Sequence, residues 1–242
     1  MDFEQTIARI AHSEPLDFGS IFSRSIELFK KVWLQGFLVL LLTFVLILPF
    51  YILLYGPMLM AGITDPEMLG RDEMDPALMR AMIVLVPVVV LGVMTVSTAL
   101  NAAFLRICML KDTTGDGPDD YFYYFREGRW KKGFFLGLVI LGLSLLGAAL
   151  CGIGILYFIV PISLMPAFYA FNESLTPIEI AKASFRLGNK NWLTIFGLII
   201  VMGLLAELGV FLCLVGVFFT AMLAKIPTYF IYKDAVQTER EG

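Results

Sequence analysis

Histidine is nearly missing from this chain: its 242 residues hold one, His12, alongside three cysteines, Cys108, Cys151 and Cys213. A zinc centre needs several imidazole or thiolate ligands at short spacing, and a disulfide framework needs cysteines in aqueous segments. Here the cysteines all sit in apolar segments, as reduced interior residues, and His12 lies in a polar N-terminal stretch. Charge is scarce too. Charged residues are 16% of the chain, against about 25% in soluble proteins, and the net charge of −3 lacks the basic excess of a nucleic-acid binder. There is no HExxH, no GxSxG, no P-loop and no close pair of carboxylates within the apolar runs. Nor is there a polar stretch of catalytic size. The longest is the first 31 residues, which carry no early apolar run of the kind that makes a cleavable signal peptide. Neither a cofactor nor an enzymatic activity is expected.

What the chain has is apolar length. Hydrophobic residues make up 59% of it and are concentrated in long runs, the mark of a membrane protein. A spanning helix needs about 20 apolar residues. Residues 32–55 supply one span, with Pro49 near its end, and 81–110 supply a second. The run 133–171 would be about 58 Å long as one helix, twice the apolar core of a bilayer, so it must be two. Its break is readable at Cys151-Gly152-Ile153-Gly154, where glycine permits a tight turn. The run 192–232 divides in the same way around 209–216. The expected fold is all-α and integral to the membrane, with six transmembrane helices in a single polytopic domain over 1–242.

The distribution of charge sets the expected orientation. The 56–80 loop holds five acids (Asp65, Glu67, Asp72, Glu73, Asp75) and two arginines (Arg71, Arg80). The opposite side carries Lys30, Lys31, Lys111, Arg126, Arg129, Lys131, Lys132, Lys182, Arg186, Lys190 and Lys233. By the positive-inside rule both termini are cytoplasmic and the 56–80 insertion faces out. Trp33, Trp130 and Trp192 then fall at the cytoplasmic entry of a span, where an amphipathic ring prefers to sit.

The chain also repeats itself. Phe125-Arg126-Glu127-Gly128 returns as Phe185-Arg186-Leu187-Gly188, Trp130 as Trp192, Pro166 as Pro227, and Asn172-Glu173 as Lys233-Asp234, at shifts of 60 to 62. Lys111-Asp112 precedes Glu173 by a similar interval. Three units follow, about 16–112, 118–173 and 177–234. Each is a transmembrane hairpin preceded by an interfacial amphipathic helix. In the first, Phe18, Phe22, Ile26, Phe29 and Trp33 share one helical face. The second is the aromatic segment 118–132. The third opens with a capping box, Thr176-Pro177-Ile178-Glu179. Such a segment is either an elbow that positions the next span or a surface for lipid or partner docking. All three units enter and leave on one side, so they are parallel repeats, unlike the inverted repeats common in secondary transporters.

Ionisable groups inside the spans are the candidates for function. Lys225 is eight residues before Lys233, roughly 12 Å from the inner interface, and Glu207 is near the outer end of its helix. With Asn101 they form a candidate intramembrane polar site. The alternative is that Lys225 snorkels and Glu207 reaches the outer surface. Ser97, Thr98 and Asn101 suit hydrogen bonding between helices, and Gly133, Gly137, Gly142, Gly147 and Gly152 suit close packing of the third span. The acidic stretch 112–120 lacks the alternating ligands and final glutamate of a calcium loop and reads as a linker ending in a helix start. Trp33, Trp130, Trp192, Arg126, Arg186 and Lys190 are candidate interfacial lipid contacts.

Leu16-Asp17-Phe18-Gly19-Ser20-Ile21-Phe22, leading to Leu28-Phe29-Lys30-Lys31-Val32-Trp33, resembles the start of a large group of bacterial polytopic proteins. The group includes uncharacterised proteins similar to the membrane domain of glycerophosphodiester phosphodiesterases and related domains of unknown function. Thr176-Pro177, Ala181-x-x-Ser184-Phe185-Arg186 and Asn191-Trp192 resemble its second hallmark. The resemblance spans most of the chain. It implies a six-helix protein of the bacterial inner membrane and carries over no active-site residues. The leading expectation is a non-catalytic scaffold, assembly or lipid-associated component. Its partners would be membrane lipids, anionic ones included, and other proteins or further copies of itself, with no nucleic acid. The rival is a transporter or channel for a small molecule, ion or lipid using Glu207 and Lys225.

Overall fold

The computed structural model describes residues 1–60, 62, 76–115, 117–150, 152–211 and 216–237, and every regular element among them is helical. The acids of the 56–80 insertion, Asp116, Cys151 and Cys213 lie outside the described residues. A short helix α1 (Phe3–His12) leads into α2 (Phe18–Met60) and α3 (Pro76–Thr113). The hairpin of α4 (Trp130–Ala149) and α5 (Ile153–Phe171) follows. Helix α6 (Pro177–Lys190) then meets α7 (Trp192–Glu207) at a bend of 94°. Among the described residues, α2, α3, α4 and α5 are long and apolar enough to cross a membrane, and α6 with α7 passes as a fifth crossing. The protein is therefore multi-pass and helical.

The expected sixth span is not one helix. The return arm is made of α8 (Gly216–Thr220), a 3₁₀ stretch (Ala221–Lys225), α9 (Ile226–Tyr232) and a π-helical turn (Lys233–Gln237). Pro227 explains the change at Lys225. It has no N–H to give the Leu223 carbonyl, and Ile226 donates to that oxygen instead, which tightens the turn. The Thr228 hydroxyl donates to the Lys225 carbonyl at 2.7 Å.

The elbow helices also differ from expectation in two of the three units. Residues 18–33 are helical, but they run without a break into the first span as one 43-residue helix. Between Thr113 and Trp130 no α-helix forms among the described residues: turns and a single 3₁₀ turn (Tyr123–Phe125) take its place, so the 112–120 linker does not open a helix. The aromatic run there is spent on contacts to other elements, described below. Only α6 is a separate elbow. Its N-terminus is closed by the expected capping box of Thr176 and Glu179.

The middle of the bundle is α3, α5 and α9. From Ala99 to Cys108 most of α3 is buried, α5 is buried over 167–170, and α9 is buried throughout. Alanines at 99, 102 and 103 let neighbouring helices come close to α3. Glycine does the same for α4. A Cβ on Gly137 would lie 3.3 Å from Met94, and one on Gly147 would lie 3.1 Å from the Ile155 nitrogen. Gly142 faces open space and has no packing role, and Gly152 (φ +79°) forms the α4–α5 turn.

Candidate intramembrane site and its polar frame

The candidate site is positioned by the polar end of the bundle, where both terminal segments meet. Three acids at intervals of 61, Asp112, Glu173 and Asp234, do much of the fastening there. Asp112 accepts from the Tyr229 hydroxyl at 2.7 Å and pairs with Lys233 at 2.6 Å, joining α3 to the return arm. Asp234 pairs with Arg24, joining the return arm to α2. Glu173 accepts from the Tyr123 hydroxyl at 2.6 Å. That bond, with burial second, raises the Tyr123 phenol above its ordinary pKa. Arg106 and Arg129 lie on the Tyr123 ring at 3.9 and 4.1 Å from its centroid, a cation–π arrangement that keeps both guanidiniums at the polar end.

Residues 61 apart in the sequence also meet here. Phe171 and Tyr232, 61 apart, pack with centroids at 5.0 Å, and the buried Asn172 amide donates to the Tyr232 hydroxyl at 2.7 Å. Lys132 donates to the Asn172 carbonyl at 2.7 Å and the Glu173 carbonyl at 3.2 Å, satisfying acceptors at the end of α5.

The expected interfacial residues divide into two groups. Trp33 and Trp130 are both 44% exposed, and Arg126 and Arg186 are exposed. Arg126 pairs with Asp120 at 3.2 Å. Lys190 is exposed, with its charged end turned to the protein. Its ammonium donates to the carbonyls of Ile10, Ala11 and Ser13, fixing the end of α1 against α6, and the Ser13 hydroxyl lies 3.1 Å away. Trp192 is half-buried. It stacks on Phe196 and donates from its indole N–H to the Tyr157 carbonyl at 3.4 Å. Pro161, four residues on, has no N–H for that oxygen, so the indole takes over a backbone role.

Above this frame, between α3, α4, α5 and the return arm, is a cavity of about 230 Å³. Its polar lining is Ser97, Thr98, Asn101, Ser163, Lys225 and Thr228, and its apolar walls include Met94, Ile140 and Ile162. Lys225 and Asn101 are therefore brought together. Glu207 is not with them: it ends α7, is exposed, and does not line the cavity. Lys225 stands where the 3₁₀ stretch meets α9, at the cavity wall, whereas Glu207 is the last residue of α7. Spacing along the chain showed the polar residues of α3. It did not show Ser163 and Thr228, which are ordinary apolar-run hydroxyls until α5 and α9 are set side by side.

Compared with known protein families, curated proteins and solved structures, the chain finds no match.

Proposed function

We propose that this chain is a non-catalytic scaffold of a bacterial inner membrane, associated with anionic lipid at its polar end, with the termini on the cytoplasmic side. The observation that carries this reading is the elbow: α6 turns 94° from α7, keeps Ile178 and Arg186 exposed, and buries Ile180, Ala183, Ser184 and Leu187 against the bundle. A helix so placed presents basic and apolar groups along an interface while its inner face is held. The use of charge at this end supports the same reading. Asp112, Glu173 and Asp234 hold helices to one another. The six spans, the threefold parallel repeat and the resemblance to the glycerophosphodiester phosphodiesterase membrane domain belong to this proposal. A protein partner or a second copy would complete the scaffold.

The test separates lipid contact from folding. Near an anionic surface each basic residue contributes about 1 kcal/mol, screened by salt. Arg186→Glu is expected to reduce retention of anionic lipid relative to zwitterionic lipid in native mass spectrometry, with folded yield unchanged. Lys190→Glu is expected to lower folded yield, because α1 loses its clamp. Equal lipid retention by wild type and Arg186→Glu would reject the lipid-associated role. The transporter reading is favoured by one observation, the cavity, and in that reading Asn101 with Lys225 replaces the pairing of Glu207 with Lys225.

A further inference from the structure

The cavity plays no part in the surface role above. We propose that it is a binding site for the oxyanion head of a single-chain amphiphile, with the carboxylate or phosphate held by Lys225 and Asn101.

Charge is the first argument. Among the described residues, Lys225 is the one ionisable residue in the cavity wall, and no carboxylate lines it. Among the described residues its ammonium has no hydrogen-bond or ion-pair partner. Cations placed among membrane helices are ordinarily paired, or face a ligand pathway, so the missing partner is an anion. Hydrogen bonding is the second. Ser97, Thr98 and Asn101 lie on adjacent turns of α3, line the cavity together, and spend no side-chain donor on another described residue. A cation plus neutral donors is the set that satisfies an oxyanion with several lone pairs.

Shape selects an amphiphile over a free anion. Met94, Ile140 and Ile162 give the cavity apolar walls suited to methylenes. Its roughly 230 Å³ is below the about 300–1,000 Å³ of pockets that enclose a whole drug-sized ligand. It therefore holds a head group and the first part of a chain, with the rest of the chain outside. Lys225 is exposed, so the cavity is not sealed. One cation offsets one negative charge of the head, and the neutral donors take the remaining oxygen lone pairs.

The experiment uses the full chain, purified in detergent and stripped of lipid. It is titrated with palmitate, lysophosphatidic acid and lysophosphatidylcholine, and adducts are counted by native mass spectrometry. Wild type is expected to retain palmitate or lysophosphatidic acid at a concentration about ten-fold below that for lysophosphatidylcholine. The two anionic arms tell carboxylate from phosphate. Lys225→Gln is expected to abolish that preference, Lys225→Arg to keep it, and Asn101→Leu to weaken it with the cation intact. Arg186→Gln is expected to leave it unchanged, which separates this site from the surface reading. Equal retention by wild type and Lys225→Gln, or an equal loss in Arg186→Gln, overturns the proposal. So does inorganic phosphate that competes as well as the amphiphile. If Lys225→Gln does not fold, Asn101→Leu and the wild-type competition decide the outcome.

Discussion

Helix α5 and the return arm share a sequence pattern and end up unlike each other. With a shift of 61, Pro166 corresponds to Pro227, Phe171 to Tyr232, and Leu164 to Lys225. Helix α5 stays α-helical through both of its prolines, with Leu164 fully buried. The return arm changes from 3₁₀ to α to π within seventeen residues, and Lys225 stands at the first of those changes. Two solutions to one problem are visible. In α5 a carbonyl facing Pro161 is taken up by the Trp192 indole from a neighbouring element, so the helix continues. In the return arm the backbone itself shifts register at Pro227, so the helix breaks. The break leaves Lys225 at the cavity wall, whereas Leu164 is packed inside the continuous α5. The difference teaches that two segments of like pattern can meet through their aromatic residues at the polar end while their apolar halves fold differently.

The strongest way to break this comparison is to exchange the two residues. Leu164→Lys puts an ammonium in a fully buried position at a cost of about 2.5–3.5 kcal/mol on insertion scales, before any steric strain. It is expected to abolish the monodisperse peak in size-exclusion chromatography. Lys225→Leu removes a charge from a cavity wall and is expected to raise or leave unchanged the thermal midpoint in the same detergent. If both variants behaved alike, the two arms would be equivalent environments after all.

The turns of the two hairpins give the next largest effect. A Cβ on Gly209 would lie 2.7 Å from the Gly216 carbonyl oxygen, and one on Gly154 would lie 2.9 Å from the Gly147 Cα. Gly209→Ala and Gly154→Ala are each expected to destabilise by about 1–3 kcal/mol through overpacking. Gly142→Ala, with open space around it, should show no loss by thermal denaturation. A loss at Gly142 equal to that at Gly154 would contradict the packing described for α4.

The smallest effect sharpens the comparison where the arms touch. Tyr232→Phe removes the hydroxyl that accepts from Asn172, and hydrogen bonds between membrane helices are worth about 0.6 kcal/mol on average. A double-mutant cycle with Asn172→Ala should show coupling of about that size, whereas independent effects would mean that the 2.7 Å contact does not tie the arms.

Periodicity and composition settled much of this protein. Long apolar runs with few charges require helices in a membrane, since no other open structure satisfies the backbone there. Gly152 marked the α4–α5 turn because a left-handed residue is needed to reverse the chain, and Thr176 with Glu179 marked the start of α6 because a capping box is local chemistry. Lys225 and Asn101 stood out as polar residues in apolar surroundings. What tertiary structure alone decided lies in the partners of each group. Residues 117–129 form no α-helix: the Tyr123 and Tyr124 hydroxyls donate to Glu173 and Ala170, and Arg106 lies on the Tyr123 ring, all from outside the segment. Lys190 reaches the end of α1, where the carbonyls of Ile10, Ala11 and Ser13 accept from its ammonium. Glu207 and Lys225 are separated, and Asn101 and Lys225 are joined, by where the return arm breaks. Local chemistry names the donors and acceptors, whereas only packing determines which of them come within 3 Å.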